Sequence, residues 1–174
     1  MKMKDYPWYE VLTGEEDLMQ GDFINDCPIV IPPAEIYDNI EVRIKNYDVV
    51  IMSQSCDLVQ RKLDLILVCP LWPLNEFEKR SEFFKSRKGK EALRQGNVPG
   101  YHLLNRCEID YFKTDYLIVD FRSVFSVPFN LMIDISRKRD KRLRLLPPYR
   151  EHLSQAFARF FMRVGLPVDI PAFK

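Results

Sequence analysis

The chain is expected to fold as a mainly β domain, a small barrel decorated by helices, and three observations predict it. Short apolar runs rich in β-branched residues recur between turn residues, as at Val49 to Met52 and Leu63 to Leu71. A block from about 75 to 95 changes texture to dense charge around a few aromatics, the mark of a helical insertion. Near the carboxyl end, Leu153, Ala156, Phe157, Phe160, Phe161 and Val164 recur every three or four residues, the period of an amphipathic helix.

The 174 residues suffice for one domain with a proper core. The expected organisation is a leader over 1–20, first barrel strands over 21–73, a helical insertion over 74–97, remaining strands over 98–146, and a helix with a tail over 147–174. Trp8 to Leu18 reads as a short irregular or helical leader closing on Gln20-Gly21. Asp22-Phe23-Ile24 and the run Cys27 to Pro33 read as edge strand, because prolines stand at both ends of the latter. Glu41 to Lys45 alternates strictly, the period of a half-buried strand, and Asn46 separates it from the buried strand Val49 to Met52. Leu63 to Leu71 reads as a central strand terminated by Pro70 and Pro73. In the insertion, Asn75 is the expected N-cap, Gly89 the expected break and Gly96-Asn97 the end. Tyr101 to Leu104, Tyr116 to Phe121 and Val124 to Val127 supply further strands. Pro147-Pro148 introduces the last helix, and Gly165-Leu166-Pro167 stops it.

Composition narrows the function classes. The 47% hydrophobic and 29% charged fractions are those of a soluble globular protein, and no apolar stretch approaches the roughly 20 residues of a membrane span. No secretory h-region follows the basic start, so the expected location is cytoplasmic and no membrane partner is expected. Cys27, Cys56, Cys69 and Cys107 stand singly, with no Cys-x-x-Cys pair. They read as reduced thiols, with neither a disulfide framework nor a metal site, and no cofactor is expected.

The formal net charge of +1 conceals a polarity. Acids from Asp5 to Asp38 dominate the first forty residues. Between 135 and 165, Arg137, Lys138, Arg139, Lys141, Arg142, Arg144, Arg150, Arg159 and Arg163 dominate. Either the two ends lie together and neutralise one another, or Arg137, Arg139, Arg142 and Arg144 form a basic surface for nucleic acid.

Three constellations could carry chemistry. Ser53-Gln54-Ser55-Cys56-Asp57 follows a rigid strand, so Ser55, Cys56 and Asp57 are candidate binding residues on a turn. Cys56 with His102 is the minimum of a thiol nucleophile, with Asp57 or Asp120 to orient the ring. Arg122, His102 and Ser53 would suit a phosphodiester, as a cationic fork, a proton carrier and a hydroxyl donor. Tyr101, Tyr111, Tyr116, Trp72 and Phe121 could stack on bases, although aromatics in β domains are mostly core. His152, near the positive end of the last helix, reads as exposed or capping.

The order Gly21-Asp22-Phe23, Tyr47 to Ser53, Leu65 to Leu71 and Leu117-Ile118-Val119-Asp120-Phe121-Arg122-Ser123-Val124 resembles the MazF and PemK group of small β-barrel proteins. The resemblance implies a Src-homology-like barrel and a bacterial stress or defence setting, among metal-independent RNA-cleaving toxins and their partners. The toxins generally carry Arg-Pro before the second strand and a threonine or serine after the next; here stand Tyr47-Asp48 and Leu71-Trp72-Pro73. The implied function is therefore an accessory module that binds RNA or a protein partner. A metal-independent endoribonuclease using Arg122, His102 and Ser53 is the alternative, and a hydrolase using Cys56 is the second. An antitoxin-like or regulatory partner and a homodimer stay open.

Overall fold

A computed structural model describes residues 6–35 and 42–162. Within them the chain is mixed α and β, and every strand pairing is antiparallel. The strands are β1 (Tyr9–Thr13), β2 (Phe23–Ile31), β3 (Arg43–Ile51), β4 (Leu65–Pro73), β5 (Tyr101–Leu104), β6 (Leu117–Asp120), β7 (Phe125–Pro128) and β8 (Lys141–Leu145). The helices are α1 (Ser55–Val59), α2 (Leu74–Arg80), α3 (Glu82–Lys85), α4 (Arg87–Arg94), α5 (Phe129–Arg137) and α6 (Tyr149–Phe161). Glu41, Val164 and the stop at Gly165-Leu166-Pro167 lie outside the described residues, as do Asp5, Asp38 and Arg163.

The main sheet runs β2-β3-β4-β6-β5, and β7 pairs with the first half of β4. The second sheet is the pair β1-β8. Gly21 joins the two, because its N–H donates to Ile51 O and its carbonyl accepts from Leu145 N. It does so at φ +87°, and a Cβ there would stand 3.2 Å from Leu145 Cβ, so both backbone freedom and close approach call for glycine. The curled sheets do not close into the expected barrel. Among the described residues no ladder links β1 to β5; Tyr9 Oη donates to the carbonyl of Asn105, just past the end of β5, at 2.6 Å.

Alternation along the strands divides the interior in two. Phe23, Val50, Met52, Cys69, Leu71, Val119 and Leu104 point to an inner core that β1, β8 and α6 cover. Val49, Ile51, Ile66, Val68 and Val127 point to the opposite face, which α1 and α5 cover through Leu58, Phe129 and Met132. The far end of that outer face carries Ile118 beneath Phe77, Phe84 and Leu93 of the insertion. The run Val49 to Met52 is apolar throughout because both its faces are buried.

Several elements differ from expectation. The leader contains β1, ordered by its ladder to β8 rather than by its own pattern. Arg43 to Ile51 is one strand through Asn46. Pro70 lies within β4; it cannot donate, and it sits where the β7 ladder at Leu65–Val68 gives way to the β6 ladder at Leu71–Pro73. The insertion breaks at Ser81 and Ser86, whose hydroxyls accept from Phe83 N and Gly89 N as N-caps, whereas Asn75 lies inside α2. Gly89 is interior to α4, where a Cβ would fall 1.8 Å from Phe83 O. The segment after β7 forms α5, which was expected among strands.

Candidate functional site

The acidic leader and the basic segment lie together. Asp22 is fully buried and receives Arg142 Nε at 3.0 Å and Arg144 Nη2 at 3.0 Å, with Arg144 Nε also donating to it. The remaining guanidinium donors tie down the leader: Arg142 donates to Thr13 O, Glu16 O and Asp17 O, and Arg144 to Asp17 O. Outside this cluster, Arg139 pairs with Asp26 at 3.2 Å and Arg137 with Glu15 at 3.7 Å. Of the four arginines, Arg142 and Arg144 are interior struts with their donors committed, and only Arg137 and Arg139 are exposed. Strand alternation in Lys-Arg-Leu-Arg-Leu gives no hint that a buried carboxylate waits for the two arginines.

The turn after β3 is also internally committed. Ser53 Oγ accepts from Leu67 N at 2.8 Å, and Ser55 Oγ accepts from Gln20 N at 3.1 Å. Gln20 Nε2 donates to Met52 O at 2.8 Å, so the turn is stitched to the leader. Cys56 is exposed on α1 and Asp57 half-buried beside it. His102 points to the inner face, stacked against Phe121 at 6.3 Å, and lines a groove of about 520 Å³ with the exposed His152 of α6. Burial, then the neighbouring His152, holds the His102 imidazole neutral down to about 4. Cys56 lies over the outer face, on α1, so the sheet separates thiol from imidazole. Arg122 belongs to the outer face as well, where it lies over Tyr101, the strand neighbour of His102. Arg122, His102 and Ser53 therefore occupy three different places.

A group that is assembled lies on the outer face, in the gap between the α1/α5 cover and the α2–α4 cover. Continuing the Val49↔Pro70 register puts Tyr47 beside Trp72, and their rings meet edge-on at 5.9 Å. Tyr101 is paired with Asp120 across β5 and β6. Each of these three half-buried rings carries a cation on it: Lys45 on Tyr47 at 4.9 Å, Arg80 on Trp72 at 4.1 Å, and Arg122 on Tyr101 at 4.4 Å. Phe77 links the last two pairs, 5.8 Å from Arg80 and 4.9 Å from Tyr101. The result is a continuous chain of ring and cation contacts from Lys45 to Arg122.

Local bonds fix parts of that line. Arg122 donates from Nε and Nη2 to the two oxygens of Asp120, at 3.1 and 3.2 Å, while its stem runs beside Gly100. The bond to Asp120 raises the Arg122 pKa further, keeping the guanidinium charged. Burial, then Asp120, raises the Tyr101 phenol, so it stays a neutral hydrogen-bond donor. Trp72 Nε1 is buried and has no hydrogen-bond partner among the described residues. Such a face can stack planar groups and neutralise a string of anions.

Trp72, Tyr101 and Arg122 were legible as candidates, but Lys45, Tyr47 and Arg80 were not. The signal for Tyr47 is the β3–β4 register; Arg80 arrives from the insertion, and only the fold brings it over Trp72. The other aromatics lie elsewhere: Phe121 is buried in the inner core, Tyr116 lies under Arg106, and Tyr111 is exposed on the 105–116 loop. No helix among the described residues is long and apolar enough to cross a membrane. Comparison with protein-family models, with curated proteins and with solved structures finds no match for the chain.

Proposed function

We propose that this chain is a single-stranded RNA-binding module, and that RNA lies along the outer face over Tyr47, Trp72 and Tyr101. The observation that carries the reading is the line of three cation–ring pairs on one half-buried strip of sheet. Unpaired bases would extend these cation–ring stacks for about 1–3 kcal/mol each, and Lys45 and Arg80, which make no ion pair among the described residues, supply charge for the phosphates. The resemblance to the MazF and PemK group supports the same partner class and an accessory role in a bacterial stress or defence system. Binding without toxin-type cleavage suits the chemistry, because Tyr47-Asp48 stands where those toxins carry Arg-Pro, and His102 lies on the opposite face from Arg122.

Fluorescence anisotropy with a labelled single-stranded RNA, in chelator and at two salt concentrations, tests this reading. Affinity should fall with salt, and Trp72→Ala should weaken binding by about one to two decades. Arg80→Ala should weaken it and flatten the salt slope. An affinity unchanged by Trp72→Ala would overturn the proposal. RNA cleavage that Arg122→Ala abolishes would establish the ribonuclease reading instead.

A further inference from the structure

The open end of the inner core forms a second cavity, of about 270 Å³, on the other side of the sheet from the cation–ring line. Its floor is apolar, made by the buried inner-face residues Phe23, Leu71 and Leu143 and the partly buried Leu117. One wall is the 105–116 loop, pinned at its neck by the Cys107–Thr114 bridge. At its tip Tyr111 is 81% exposed and adopts φ +78°, a left-handed conformation that costs a non-glycine residue about 1 kcal/mol or more. Among the described residues its ring meets Phe112 at 5.1 Å and the Lys141 ammonium at 5.9 Å, and its hydroxyl makes no hydrogen bond.

The rim is cationic. Lys113, Arg139, Lys141 and Arg142 line the cavity against one acid, Asp48. Arg142, Arg139 and Lys113 have carboxylate partners outside the lining, at Asp22, Asp26 and Glu108. Asp48 accepts a backbone hydrogen bond from Asp26 N. Lys141 makes no ion pair among the described residues, and its ammonium faces the Tyr111 ring. An apolar floor, an exposed aromatic wall and an unpaired cation together select for a flat apolar body bearing a negative charge.

We propose that this cavity binds a small ring-bearing anion, an aryl phosphate or aryl carboxylate, with its ring between the apolar floor and Tyr111 and its charge on Lys141. The site is independent of RNA binding on the outer face. Isothermal titration calorimetry of the full chain with naphthyl phosphate, naphthoate, neutral naphthylmethanol and inorganic phosphate tests it. At least one aryl anion should bind saturably, with the neutral ring and the bare phosphate at least about tenfold weaker. The tighter of the two anions identifies the head group. Lys141→Met and Tyr111→Ala, both at exposed positions, should each weaken that anion by about tenfold, and Trp72→Ala should leave it unchanged. Absence of saturable binding by either anion up to about 10 mM, on the weak side of ordinary ligand affinities, would overturn the proposal. So would equal binding of naphthylmethanol, or an affinity unaffected by Lys141→Met.

Discussion

Asp22→Asn removes the one negative charge on which two buried guanidinium groups converge. Four donors are aimed at that carboxylate: Arg142 Nε, Arg144 Nε, Arg144 Nη2 and Met19 N. Asparagine presents one acceptor oxygen and an NH₂ in their place, so at least one arginine donor meets a donor. Breaking one partner out of a buried ionic cluster costs about 3–5 kcal/mol, because the remaining charges stay desolvated. The arginines keep carbonyl partners at Thr13, Glu16 and Asp17, which places the loss at the lower end, about 3 kcal/mol. For a chain of this length that lowers the melting temperature by about 6–12 °C. Urea unfolding followed by circular dichroism gives the midpoint shift. Asp26→Asn, which breaks only the exposed pair with Arg139, is the control and should cost less than about 0.5 kcal/mol. A loss below about 1 kcal/mol for Asp22→Asn would refute the reasoning, since the cluster would then be hydrated or dispensable.

The His102 imidazole is lowered from its ordinary 6.5 to about 4 by burial and by His152. Between those values the unfolded chain binds the proton and the folded chain does not, so stability is highest above about 6.5 and falls as acid is added. Urea midpoints should show about 2 kcal/mol lost between about pH 7 and pH 5, a slope that His102→Gln flattens; a slope unchanged in that variant would contradict the assignment. Among the cysteines, burial pushes Cys27 up to about 11 and, with Asp120 adding to it, Cys69 up to about 12; Cys107 is buried and Cys56 exposed. A disulfide reagent should therefore titrate one thiol quickly in the native protein and all four in denaturant. Cys56→Ser should remove the fast phase while shifting stability by less than about 0.5 kcal/mol.

The sequence was most legible where a segment's environment matches its own composition. Val49 to Met52 is apolar at every position because the sheet is covered on both faces, and the insertion shows itself by charge because α2–α4 expose most of their surface. Legibility fails where tertiary contact overrides local pattern. Tyr9 to Thr13 is too short and mixed to be read as a strand, and β8 makes it one. Phe129 to Arg137, dense in isoleucine and leucine, has strand-like composition yet forms α5, with Phe129 and Met132 buried on the outer face. Arg142 and Arg144 could be read either as a basic surface or as neutralised by the acidic leader; the second holds, but Asp22 could not be singled out because it lies 120 residues from one in sequence and 122 from the other.

That distance also bears on why the barrel stays open. Asp22 links β8 to the start of β2, and Gly21 links β8 to β3, so curvature is fixed on the amino-terminal side of the sheet by charge and backbone bonds. On the other side, β5 is four residues long and forms no ladder with β1 among the described residues, although Tyr9 donates to Asn105 just past its end. The insertion that follows β4 acts on the opposite face, covering Ile118 and stopping short of Tyr47, with Arg80 at its edge laid on Trp72. Incomplete cover on each face thus leaves accessible surface of opposite character, a flat cationic strip outside and an apolar cavity with a cationic rim inside. Trp72→Ala and Lys141→Met separate the two, because Trp72 lies on the outer face of the main sheet whereas Lys141 lies on β8, in the second sheet, at the rim of the inner cavity.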